Sequence, residues 1–217
     1  MPTVYGVSLS PFVRKVRVAL AEKNLPYDLE PVFGPAASTP EFRAMSPLGK
    51  IPAYRDGDRT FSDSSVICLY LEKVHPQPAL YPSDPYDYAR ALWFEEYADT
   101  ALVEVIGGKI FFPRVVARRF AGREPDEAAV VKAIAEDLPP RFDYLEGQLG
   151  DGPYVAGGRL SIGDIAIAST FANLRHAGVG IDAKRWPKLA RYVATHHERP
   201  SFRALIEEEA GFLGATA

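Results

Sequence analysis

Between His75 and Tyr86 the chain reads HPQPALYPSDPY, with prolines at 76, 78, 82 and 85. No helix or central strand tolerates that density, because each proline lacks an N–H and its ring strikes the carbonyl one helical turn back. The segment therefore divides the 217-residue chain into a region over 1–80, a linker over 81–87 and a region over 88–217. Both regions are long enough to bury a core. Charge divides mildly between them, with 9 basic and 8 acidic residues in 1–80 (net +1) and 16 and 20 in the rest (net −4). The total of −3 supplies no field to hold nucleic acid or an anionic membrane, so small molecules or proteins are the expected partners. No apolar run approaches the roughly 18–20 residues of a membrane span. The start, MPTVYGVSLSPF, has no basic stretch followed by a long apolar one, which leads to the expectation of a cytoplasmic protein.

Before the linker, short apolar segments alternate with helical patterns, as in an α/β unit with a mixed four-stranded sheet. Thr3–Val7 reads as a first strand, and Pro11 opens a helix to about Lys23 with Val13, Val16 and Leu20 on one face and Arg14, Lys15 and Arg17 elsewhere. Tyr27–Phe33 reads as a parallel strand, Glu41–Met45 as a helical turn, and Ala53–Arg55 as a third strand. A turn at 56–58 then leads to a fourth, antiparallel strand, and a helix starts at Ser64. After the linker the pattern is helical throughout, as in an all-α bundle. A long helix runs from about Tyr86, kinked or ended at Pro113. A second covers about Asp126–Leu149, with a break expected at Pro139 and Pro140. Ile165–Ala172 is apolar all round, as a buried central helix would be, and two more helices follow near Pro187–His197 and Ser201–Phe212.

The single cysteine, Cys68, allows no intramolecular disulfide, no CxxC pair and no cysteine-based zinc site, so thiol chemistry must use Cys68 alone or a thiol from outside. Within a helical pattern, Cys68 reads as a small core residue. Three places can carry chemistry. Ser10 precedes Pro11 at a helix start, where a hydroxyl, free N–H groups and the helix dipole favour an anion such as a thiolate; an ordinary N-cap fits equally, and Ser8 competes for the role. The Ile51-Pro52 bond, if cis, would offer the Ile51 backbone to an extended peptide, against the plainer reading of a proline opening a strand. Asp63 and Ser64 stand where a strand hands over to a helix, suited to an ammonium and a carboxylate respectively, or to capping alone.

Five stretches, in this order, resemble the glutathione S-transferase superfamily, in its cytosolic, serine-type and bacterial-like members. They are SPFVRKVRVALAEKNLPY at 10–27, MSPLGKIPAY at 45–54, FSDSSVICLYLE at 61–72, LYPSDP with RALW at 80–93, and GGRLSIGDIAIAS at 157–169. The resemblance implies a thioredoxin-like N-terminal domain with a cis proline at Pro52, an all-helical C-terminal domain and a homodimer. It further implies that Ser10 stabilises the thiolate of glutathione, the co-substrate. Phe12, Lys50, Ile51, Pro52, Asp63 and Ser64 would complete the glutathione site, with Ile51 pairing to the cysteine, Asp63 and Ser64 holding the γ-glutamyl end and Lys50 assisting the glycyl end. Tyr5 lies too early for the tyrosine of other branches, and Ser10 stands where the disulfide-exchanging branches have cysteine. Asp63 replaces the commoner glutamate or glutamine.

The expected reaction is attack of the thiolate on a small hydrophobic electrophile, an alkyl or aryl compound handled in detoxification. Its pocket between the domains would be lined by Leu9, Phe12, Phe111 and Phe112, with Arg114 as anchor for an anionic group. Glutathione-dependent isomerisation, dehalogenation or peroxide reduction, and a non-catalytic ligand- or protein-binding role, are the alternatives. Ser161 and Asp164 match an S/T-x-x-D cap. Arg114, Arg118, Arg119 and Arg123 read as a solvated face. The adjacent His196 and His197 point apart on a helix, so no metal is expected, and no glycine-rich nucleotide motif is present.

Overall fold

The computed structural model describes residues 1–214, in two units: residues 1–81 together with the chain from Glu207, and Pro82–Ile206. The predicted end of the helical region at 215–217 lies outside the described residues. In the first unit β1 (Thr3–Tyr5), β2 (Asp28–Glu30), β3 (Ala53–Asp56) and β4 (Arg59–Ser62) form one sheet in the order β2-β1-β3-β4. β1 and β2 are parallel, and the other pairs are antiparallel. This is the mixed sheet of a thioredoxin-like α/β domain. Both leading strands are shorter than their apolar content suggests. β1 stops at Gly6, whose φ of +151° suits glycine, and β2 stops before Pro31, which has no N–H to give a ladder.

Helices α1 (Pro11–Glu22), α2 (Pro40–Met45) and α3 (Ser64–Val74) accompany the sheet. Val4, Val13, Val16, Leu20, Ile67, Cys68 and Leu71 are buried, with Cys68 a core residue as its position implies. The placement of α1's charged residues departs from the sequence pattern: Arg14, Lys15 and Arg17 are buried along with Val13 and Val16. Their ammonium and guanidinium groups reach partners from distant segments, which helical periodicity does not register. Lys23, also buried, ion-pairs with Glu72 at 2.7 Å and donates to the carbonyls of His75 and Pro78, fastening the proline-rich segment to the first unit.

In the second unit α4 (Pro85–Tyr97) begins inside the predicted linker, because Asp84 caps it by accepting from the N–H groups of Tyr86 and Asp87, both at 3.0 Å. The helix then widens to π-type winding over Ala98–Ala117 and closes as α5 (Arg118–Ala121). It therefore runs through Pro113 instead of ending there. Wider winding moves the carbonyls away from the proline ring, leaving only one absent N–H to tolerate. The next helix behaves alike: α6 (Glu127–Lys132) passes through a π-type turn, Ala133–Asp137, into α7 (Leu138–Gln148), whose first turn holds Pro139 and Pro140. The expected break is a change of winding. Beyond these lie α8 (Ile162–His176), buried along most of its length, and α9 (Pro187–His197); α10 (Pro200–Gly214) begins in this unit and belongs to the first from Glu207 on. No helix among the described residues is long and apolar enough to cross a membrane.

Close approach of α8 to α4 requires Gly163. A Cβ there would stand 2.8 Å from the Ala91 carbonyl oxygen and 3.0 Å from the Phe94 Cβ. Gly163→Ala is expected to cost about 1–3 kcal/mol by overpacking, seen as a lower melting temperature with the fold retained; an unchanged melting temperature would show that the two helices separate freely.

Candidate active site

The sheet register gathers the three predicted segments. Tyr5 pairs with Ala53, and Ala53 with Ser62, so these residues form one row across β1, β3 and β4. The chain leaves Tyr5 towards Ser10, arrives at Ala53 from Ile51-Pro52, and leaves Ser62 into Asp63. All three segments therefore border the same end of the sheet. Gly6 keeps the first two close: a Cβ on it would lie 2.5 Å from Val13 Cγ2 and 3.2 Å from Ile51 Cβ.

Ser10 is the N-cap of α1, with Pro11 as first helical residue, and its Oγ accepts from the Val13 N–H at 3.4 Å. That is the long end of hydrogen-bond lengths, and it uses a lone pair of the hydroxyl while leaving its hydrogen to be aimed elsewhere. Ser8 is engaged differently. Its hydroxyl donates to Glu209 Oε1 at 2.9 Å and accepts from Arg17 Nη1 at 2.6 Å. Among the described residues the Ser10 O–H has no protein acceptor, whereas the Ser8 O–H is taken up by Glu209. Leu9 between them is buried, and Phe12 is half-buried.

The Ile51-Pro52 bond is cis. The loop leading to it is shaped by Ser46, whose Oγ donates to the Lys50 carbonyl at 2.7 Å and accepts the Lys50 N–H at 3.2 Å. Gly49, at φ +64°, leaves room for the Arg43 guanidinium, which a Cβ would meet at 2.6 Å. Lys50 itself is exposed.

Asp63 caps α3: its Oδ1 accepts from the N–H groups of Ser65 at 2.9 Å and Val66 at 3.2 Å. Its φ of +82° is unusual for a residue with a side chain, a conformation that costs about 1–3 kcal/mol and concentrates at functional sites. Both capping bonds fall on one oxygen, so the exposed carboxylate keeps a second oxygen for a cation. Ser64 is buried at the first position of the helix. Next to it, Ser65 accepts from the buried Lys15 at 3.0 Å, which joins α1 to the start of α3.

The five predicted electrophile-pocket residues fare unevenly. Phe111 is 4% exposed and lies in the core of the second unit, whereas Phe112 is 48% exposed. Arg114, the expected anchor for an anionic group, is already engaged: its guanidinium donates to both carboxylate oxygens of Glu127 and to the Ala177 carbonyl. That pairing holds the Glu127 carboxyl below its usual range. Sequence reasoning missed Arg17 and Glu209, which bond to Ser8, and their ion-pair partners Glu208 and Arg14. The available signal was a run of three acids at 207–209 matching three cations at 14, 15 and 17. The histidines face different partners: His196 Nε2 lies 2.7 Å from the Pro153 carbonyl, and His197 Nε2 lies 2.9 Å from that of Ala168.

Residues 4–79 match the family model of the glutathione S-transferase N-terminal domain, and residues 118–195 that of the glutathione S-transferase C-terminal domain. Glutathione S-transferase F13 of Arabidopsis thaliana is 31% identical over 188 residues, covering 81% of this chain and 83% of that protein. A glutathione S-transferase of Pseudomonas putida is 31% identical over 167 residues, covering 76% and 71%. The crystal structure of a glutathione S-transferase from Rhodospirillum rubrum superimposes with a TM-score of 0.85 at 28% identity, covering 94% of this chain and 91% of that one.

Proposed function

Because the chain belongs to the glutathione S-transferase family, we propose that its first unit binds glutathione and that the Ser10 hydroxyl stabilises the glutathione thiolate, which attacks a small hydrophobic electrophile. The row Tyr5, Ala53, Ser62 carries this reading. Strands stand about 4.8 Å apart, so the row spans roughly 10 Å, the length of an extended tripeptide at about 3.3–3.6 Å per residue. Along it the cysteine of glutathione pairs with the Ile51 backbone beside Pro52, with its sulfur towards Ser10 and Phe12. The γ-glutamyl end lies on Asp63 and Ser64, the ammonium on the Asp63 carboxylate and the carboxylate on the start of α3. Lys50 serves the glycyl end.

The chemistry asks little of the protein beyond thiol ionisation and positioning. The thiol proton leaves to solvent, the Ser10 O–H donates to the sulfur anion, and the sulfur lone pair forms the new S–C bond as the electrophile's leaving group departs or its π bond opens. A hydrogen bond to a charged group contributes about 1.5–3 kcal/mol, so Ser10→Ala is expected to raise the bound thiol's pKa by about 1–2 units, read by ultraviolet titration of thiolate absorbance. No change in Ser10→Ala would remove Ser10 from the role. Calorimetry with millimolar glutathione tests binding itself, and its absence would favour a non-catalytic member of the family. A panel of alkyl and aryl halides, isomerisable substrates and peroxides separates conjugation from the other thiolate reactions. The homodimer that the family carries is read by sedimentation equilibrium.

A further inference from the structure

The two ends of the chain meet beneath the turn that bears Ser10. Glu209 of α10, 195 residues from Arg14, is fully buried and grips that guanidinium: Arg14 Nε donates to Oε1 at 2.9 Å and to Oε2 at 3.2 Å, and Nη2 to Oε2 at 2.7 Å. Oε1 also accepts from the Ser8 hydroxyl at 2.9 Å. Ser8 is further tied to Arg17, whose guanidinium reaches Glu208 and the Tyr27 hydroxyl. The Glu209 carboxylate thus does more than pair the Arg14 charge: its bond to Ser8 reaches past α1 into the turn before it. That turn is short, closed by the Ser10 N–H donating to the Val7 carbonyl at 3.0 Å, so residues 8 and 10 belong to one hydrogen-bonded turn. Among the described residues, the Ser10 side chain is oriented by its 3.4 Å bond to the Val13 N–H alone.

We infer that Glu209, acting through Ser8, is a positioning residue that holds the turn so that the Ser10 hydroxyl meets the reacting thiol. This rests on the role proposed for Ser10. Glu209 touches no substrate, and its charge alone would disfavour a nearby thiolate. The contribution is therefore geometric: a carboxylate from the C-terminal helix sets where an N-terminal hydroxyl points.

Ser8→Ala breaks the link while changing no charge. It is expected to raise the pKa of bound glutathione by about 0.5–1 unit, which lowers kcat/KM below that pKa by roughly 3- to 10-fold, with the glutathione Kd within about twofold of the parent. Ser8→Thr, which keeps the hydroxyl, restores both values. Glu209→Asp, which keeps the charge but shortens the reach, shifts the pKa in the same direction and adds nothing to Ser8→Ala. In a Ser10→Ala background Ser8→Ala has no further effect on the thiol, because the group it positions is gone. An unshifted pKa in Ser8→Ala overturns the inference, as does a shift that persists undiminished in the Ser10→Ala background. A folded Glu209→Asp with the parent's pKa assigns the hold on Ser8 to Arg17 and overturns it too. These outcomes are separate from failure of the Ser10 reading, which is an unshifted pKa in Ser10→Ala alone.

Discussion

Glu209→Ala is expected to lower the unfolding free energy by about 3–5 kcal/mol, the usual cost of removing one half of a buried ion pair. Arg14 is fully buried, so water does not replace the three donor–acceptor contacts that Glu209 provides. The variant also removes the acceptor of the Ser8 hydroxyl. For a chain of this length, about 2–4 °C per kcal/mol translates the loss into a melting temperature lower by roughly 6–20 °C. The double variant Arg14→Met/Glu209→Leu is expected to recover most of it, because two well-packed apolar side chains avoid the desolvation that the pair must offset. A melting temperature within 2 °C or so of the parent for Glu209→Ala would mean that Arg14 finds another partner. Equal losses in single and double variants would mean that shape, and not charge, is what the site requires.

The same residues mark how far the sequence could be read. The thioredoxin-like order of strands and helices, the cis bond at Pro52 and the buried run in α8 were legible because each depends on neighbours in sequence or on a family motif. The burial of Arg14 and Arg17 was not legible. Helical spacing sees only the face on which a residue lies, and their carboxylate partners come from α10 at the other end of the chain. The partners of Arg114 were hidden for the same reason: a cation in an aromatic run shows nothing of the Glu127 carboxylate and the Ala177 carbonyl placed beside it. The prolines at 113 and 139–140 misled because the rule for them assumes α-helical winding, which the wider turns around them abandon. The different bonding of the Ser8 and Ser10 hydroxyls is likewise not contained in their spacing.

Asp164→Ala is expected to cost about 3–5 kcal/mol, because the carboxylate is the common acceptor of four buried donors, each costing roughly 1–3 kcal/mol when orphaned, though the terms do not add fully. Oδ1 accepts from the Val155 N–H at 2.9 Å and the Tyr192 hydroxyl at 2.8 Å, and Oδ2 accepts from the Ser161 N–H and hydroxyl, both at 2.8 Å. With the reciprocal bond from its own N–H to Ser161 it forms the capping box of α8, so one side chain starts the central helix and ties it to α9. Burial pushes the Asp164 carboxyl above its usual range, against the opposing pull of His196 and of the N–H and O–H donors. The folded state therefore keeps a proton that the unfolded state has already released near pH 4. Asp164's contribution is fully present below that pH and declines as pH rises through the folded-state value. Asp164→Asn carries no such titration, so the stability difference between parent and Asp164→Asn is expected to narrow from pH 4.5 to pH 8 in urea melts. A difference that widened with pH would show that the four donors and His196 outweigh burial, leaving the carboxylate ionised in the fold throughout.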